Sequence, residues 1–106
     1  MDIKITFAHY GEYRELNPTD GEAAIFEHIK ALCPSCEMVR KTDAYLTAEA
    51  FGTDVARFKY TDRAKWVRFP YVGDGKKLYI EKIDDLSALN DDIVKSYEKA
   101  EKIGGK

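Results

Sequence analysis

Val55-Ala56-Arg57-Phe58-Lys59-Tyr60-Thr61-Asp62-Arg63-Ala64-Lys65-Trp66-Val67-Arg68-Phe69-Pro70-Tyr71 decides the fold, because basic residues alternate there with aromatic and aliphatic ones through two strand-length runs. Side chains along a strand point to opposite faces with a period of two. Ala56, Phe58 and Tyr60 therefore share one face of the first run, and Arg57 and Lys59 the other. In the second run Val67, Phe69 and Tyr71 share a face opposite Trp66 and Arg68. With the apolar sets on the core, the outward face carries Arg57, Lys59, Trp66 and Arg68. Thr61-Asp62-Arg63-Ala64 makes a polar connection that lacks the Asn-Gly signal of a two-residue turn. Pro70 has no N–H for a ladder, which puts the second run at a sheet edge or near a strand end. The pattern predicts a hairpin with one apolar and one basic face.

Upstream, Ile3, Ile5 and Phe7 alternate with Lys4 and Thr6, as in a half-buried strand, and Gly11 suggests a turn into a short return strand over residues 13–16. Thr19 with Glu22 three positions on fits a capping box. The helix it opens runs to about Cys33, with Ile25, Phe26, Ile29 and Leu32 on one face, and Pro34 stops it. A strand is predicted over residues 45–50, followed by a turn at Phe51-Gly52-Thr53-Asp54. Downstream of the hairpin come a turn at Gly73-Asp74-Gly75 and a strand at Leu78-Tyr79-Ile80. A final amphipathic helix follows, capped by Asp84 or Asp85 and striped with Leu86, Leu89, Ile93, Tyr97 and Ala100; residues 102–106 are its frayed tail. Sequential strands joined by short turns give an antiparallel meander, and amphipathic helices need a sheet face to cover. The expected fold is α+β, a two-layer sandwich: an antiparallel meander sheet of four to five strands, two helices packed on one face, and the other face wet.

The 106 residues carry no repeat, low-complexity tract or linker, so residues 1–106 read as a single domain with a strand or hairpin at 1–16. Charged residues make up 34% of the chain and the net charge is -2. Its distribution is more informative. Residues 1–55 hold five Lys/Arg against ten Asp/Glu, residues 56–80 seven against two, and residues 81–106 five against seven. The middle is a basic island of net +5 in an acidic chain. No apolar run approaches membrane-spanning length, and Met1-Asp2-Ile3-Lys4 lacks the layout of a secretory signal, so the expected location is cytoplasmic, with no membrane partner. Two cysteines do not make a disulfide scaffold.

The helix at residues 19–32, the strand pairs after Tyr45, and the step Ile80-Glu81-Lys82-Ile83-Asp84-Asp85-Leu86 into Ile93 to Tyr97 together resemble a group of small bacterial domains. These are the YdhG-like, MmcQ/YjbR and TfoX N-terminal domains, mostly of unassigned function. The resemblance covers roughly residues 19 to 100. Residues 1–16 fall outside it, and the Gly-Phe phrases of the TfoX branch are absent. It implies this fold and a link with nucleic-acid metabolism or defence, and it transfers no catalytic residue.

Cys33-Pro34-Ser35-Cys36 is the one short motif. Thioredoxin-like chemistry wants the first thiol at a helix N-terminus, where the dipole favours thiolate; here the pair follows a helix, so the dipole has the wrong sign. Zinc wants four ligands, and only His28 and His9 accompany the two thiols; Cys33, Cys36 and His28 are the candidate metal ligands, alone or shared across a dimer. Against this stands a plain helix-ending turn with half-buried thiols. His28 and His9 have no neighbour that would make an activated nucleophile. Asp84 and Asp85 fit helix capping, and Asp91 and Asp92 a solvated mid-helix face.

The basic-aromatic face is the leading candidate. Arg57, Lys59, Arg63, Lys65, Arg68, Lys76 and Lys77 suit phosphates, and Trp66, Tyr79 or Tyr45 offer a ring for a base. Long Lys and Arg stems also cover the solvent face of many sheets on their own account. The expectation is a non-enzymatic binding module without a required cofactor, contacting single-stranded nucleic acid through Arg57, Lys59, Arg63, Lys65, Trp66, Arg68, Lys77 and Tyr79. The alternative is a protein-interaction or inhibitor module of phage or mobile-element type, whose acidic half meets a basic protein.

Overall fold

The computed structural model describes residues 5–9, 12–42 and 44–104. Within them lie seven strands, β1 (Ile5–His9), β2 (Glu12–Leu16), β3 (Glu37–Thr42), β4 (Tyr45–Ala50), β5 (Thr53–Tyr60), β6 (Lys65–Arg68) and β7 (Leu78–Tyr79). They share one sheet in the order β2-β1-β3-β4-β5-β6-β7. The helices are α1 (Asp20–Leu32) and α2 (Asn90–Gly104), the second continuing from a 3-10 helix at Ile83–Leu89. No helix among the described residues is long and apolar enough to cross a membrane.

The fold is α+β with both helices on one face, but the sheet is larger than four to five strands and is mixed. From β3 to β7 it is the expected antiparallel meander; β1, paired antiparallel with β2, runs parallel to β3. A parallel neighbour requires a crossover between the strands, which the path through β2 and α1 supplies. Strand β3 lacks a period-two signature because its two apolar residues, Met38 and Val39, are adjacent and bury on opposite faces. The turn expected at Gly11 lies outside the described residues.

Cross-strand partners share a face, so the register sorts the sheet. Ile5, Met38, Leu46, Ala48, Ala56, Phe58 and Val67 point to the helices and join Ile25, Ile29, Leu86, Ile93 and Ala100 in one buried cluster. Thr19 accepts from the Glu22 N–H while the Glu22 carboxylate accepts from the Thr19 N–H, the capping box that starts α1. Cys33 is its C-cap, donating its N–H to the Ile29 carbonyl at 2.8 Å. Between β4 and β5, Phe51 and Gly52 both adopt left-handed backbone (φ 57° and 70°), the geometry of a tight hairpin turn.

Ladder pairing shifts between Ala48 and Glu49, where Asp54 rather than Val55 stands opposite Glu49. Val55 is the extra residue of a bulge. Its side chain is buried beside that of Ala56, and its carbonyl accepts the hydroxyl of Ser96, a buried residue of α2. The bulge thereby holds α2 against the centre of the sheet.

The expected helix start at Asp84 or Asp85 is a 3-10 turn, and α-helix begins only at Asn90. Asp91 and Asp92 consequently lie in the first turn of α2 rather than mid-helix, where they meet the positive end of its dipole. Residues 102–104, expected to fray, are helical. Asp85 Oδ2 accepts the N–H groups of Glu81 (2.9 Å) and Lys82 (3.2 Å), which hold its carboxyl below the usual carboxylate range. A depressed folded-state pKa contributes stability above the unfolded value, and that stability is lost as pH falls through the folded value. Asp85→Asn is expected to melt below the parent at neutral pH, with the gap closing as pH falls below about 4. Thermal melts at several pH values check this; a gap that stays constant across the range contradicts the assignment.

Candidate nucleic-acid interface

The face of the sheet away from the helices carries Val39, Tyr45, Thr47, Glu49, Asp54, Arg57, Lys59, Trp66, Arg68 and Tyr79, as the register requires. Alternation places Arg57, Lys59, Trp66 and Arg68 here correctly. Lys65, one residue out of phase, lies on the opposite face with its ammonium 5.3 Å from the centre of the Tyr60 ring. Arg63 is exposed in the loop between β5 and β6. The proposed set is therefore divided between two faces and a loop.

Trp66 is corrected more sharply. It lies on the open face, yet is only 4% exposed and offers no free ring for stacking. The Tyr45 ring stands 6.1 Å from it, tilted by 58°, and the Lys77 ammonium sits 4.7 Å above it. Arg57 lies over Tyr45 at 5.5 Å. The result is a continuous layer, Lys77 on Trp66, Trp66 against Tyr45, Tyr45 under Arg57, that buries aromatic surface without a helix above it.

Two of the basic residues are tied to backbone or carboxylate. Arg57 donates through Nε and Nη2 to Asp54 Oδ2, at 3.0 and 2.9 Å. Residues three apart on a regular strand point to opposite faces, so this pair exists because the Val55 bulge puts Asp54 and Arg57 on one face. Arg68 Nε donates to the Gly75 carbonyl at 2.9 Å, fastening β6 to the loop before β7. Gly75 is buried with φ 68°, and a Cβ there would stand 3.2 Å from the Pro70 carbonyl oxygen. Lys59 is half-exposed, and Lys76 and Lys77 are exposed.

Tyr79 contrasts with its cross-strand partner Trp66. It is 72% exposed, on a two-residue strand at the sheet edge. A shallow hollow of about 330 Å³ beside it is lined by Asp62, Arg63, Ala64, Lys65, Ile80 and Glu81. Both signs of charge line this hollow, Arg63 and Lys65 against Asp62 and Glu81.

The sequence reading missed a second basic surface. Lys95, Lys99 and Lys102, spaced by four and three along α2, line a groove of about 510 Å³ with Glu98, Tyr71, Val72 and Gly73. The spacing is visible in the sequence; only the fold brings the Tyr71 loop against it.

Cys33 and Cys36 are both buried, while His28 is turned away from them, its Nε2 2.7 Å from Asn90 Oδ1. Among the described residues no three His, Cys, Asp or Glu side chains gather to hold a metal ion. A Cys2His2 site would require His28 to leave Asn90. The side chain of His9 lies outside the described residues. Comparison with protein-family models, with curated proteins and with solved structures returns no match.

Proposed function

We propose that this chain is a small non-enzymatic binding module that contacts single-stranded nucleic acid at the β6–β7 edge of its open sheet face. The observation that carries this is the exposed Tyr79 ring, next to Lys77 and to a loop bearing Arg63. A base stacked on Tyr79 would gain about 1–3 kcal/mol, with phosphates neutralised by Lys59, Lys77 and Arg63. The sequence resemblance to domains linked with nucleic-acid metabolism points the same way. Trp66 takes a supporting role, holding Lys77 in place. It is also the only tryptophan, one strand away from Tyr79, which makes it a reporter of binding.

Trp66 fluorescence titrated with short single-stranded oligonucleotides tests the proposal. Binding is expected to weaken as salt rises. Tyr79→Ala should weaken it by about 5- to 150-fold, the stacking energy converted to affinity. Absence of any response at low salt, or full affinity in Tyr79→Ala, contradicts the proposal.

One observation favours a second reading. The register sets Glu37, Glu49 and Asp54 in a row across β3, β4 and β5 on the same face as the lysines. A face acidic at one end and basic at the other suits a protein of complementary charge pattern. Capture of such a partner, lost in Glu37→Lys and indifferent to Tyr79→Ala, would support this over the nucleic-acid reading.

A further inference from the structure

The buried thiols are used by neither of these readings, and their geometry supports a chemistry of its own. Cys33 caps α1 and Cys36 closes a turn onto it, its N–H donating to the Cys33 carbonyl at 3.0 Å. Both side chains are 0% exposed and belong to one buried cluster, and a turn closed by a backbone bond from its fourth residue to its first brings those residues within about 7 Å, the reach of a disulfide. The Cys33 S–H points on to the Ile93 carbonyl of α2 at 3.9 Å. Pro34 and Ser35, the two residues between the thiols, are exposed, and Ser35 N–H donates to the Tyr97 hydroxyl at 3.2 Å. The Lys30 ammonium donates to the Cys36 carbonyl at 2.7 Å. The turn is held from α1 by Lys30 and from α2 by Tyr97, with both thiols buried beneath it.

We propose that Cys33 and Cys36 are a dithiol/disulfide couple of the folded protein, closed by exchange with a low-molecular-weight disulfide such as glutathione disulfide. The Cys33 thiol gives up its proton and its sulfur attacks one sulfur of glutathione disulfide, releasing one glutathione thiolate. The Cys36 thiol then gives up its proton and attacks the Cys33 sulfur of the mixed disulfide, releasing the second. Two protein thiols lose two protons and two electrons, and glutathione disulfide becomes two molecules of glutathione. Attack needs a brief opening of the Pro34-Ser35 turn, since neither sulfur meets solvent. The helix C-terminus gives no dipole assistance, so the couple suits a slow closure that fastens α1 to β3 rather than rapid exchange on other proteins.

The test incubates the folded 106-residue chain with glutathione at reducing and oxidising ratios, quenches with acid, and reads the mass. At the oxidising ratio the expected product is the protein lighter by two hydrogens, with no accumulated glutathione adduct and a melting temperature above that of the reduced form. In Cys33→Ala/Cys36→Ala the oxidant-dependent shift should vanish. Should that variant not fold, the wild-type masses still decide. The proposal is overturned if the folded protein stays reduced while the denatured chain oxidises, if a mixed disulfide persists, or if the closed form melts lower.

Discussion

Replacing Phe58 by alanine is expected to lower the unfolding free energy by about 3–5 kcal/mol. Phe58 is 0% exposed on β5, a central strand that α1 and α2 both pack against, with Leu46 opposite on one neighbour and Val67 on the other. Every direction around the ring is filled: strands on both sides, helices above, its own backbone below. Truncation leaves a void that these elements cannot collapse, because β4 and β6 are fixed by their ladders and α2 is tied to the Val55 carbonyl by Ser96. A domain of this size has about 5–15 kcal/mol in total, so the loss removes a large share of it. Urea denaturation is the measurement. The midpoint should fall with little change in slope, and a loss under about 1 kcal/mol would mean that Phe58 is not at the centre of the core.

That placement was legible in the sequence because Phe58 lies in a run of clean alternation, where period two, strand identity and burial coincide. The same rule failed over residues 37–42. Met38 and Val39 are adjacent and bury on opposite faces, Met38 in the core cluster under the helices and Val39 on the open face, so the alternation that marks a strand is lost there. Without β3 the parallel pairing with β1 was invisible, since it depends on a long-range register.

The candidate site divides along similar lines. Period two put Trp66 and Arg57 on the open face, a local property of the chain. It left unsettled whether Trp66 is bare, because its cover comes from Tyr45 and Lys77, far away in sequence. It also could not foresee the Asp54–Arg57 pair, since a bulge breaks the count at Val55. Charge counted along residues 56–80 merges both faces, which is how Lys65 joined a set that its own alternation excludes. Tyr79 is bare at an edge: β7 ends the order of the strands among the described residues.

Trp66→Ala should consequently behave as a stability mutation, costing about 3 kcal/mol, toward the lower end for a buried aromatic because its cover is flexible side chains rather than a helix. The ring is 4% exposed and supports both Tyr45 and Lys77, so its removal leaves the lysine stem over a gap and takes from Tyr45 the surface it leans on. Tyr79→Ala, at the edge and 72% exposed, should change stability by no more than about 0.5 kcal/mol. Thermal or urea unfolding of both variants gives the comparison. Two neighbouring aromatics on one face would then part by role, Trp66 holding the face together and Tyr79 left free of the fold for the contact proposed above. If Trp66→Ala melts within a few degrees of the parent, the side-chain layer contributes nothing to the fold. The ring would then be free to turn outward to a ligand, and the interface would centre on Trp66 instead of the β7 edge.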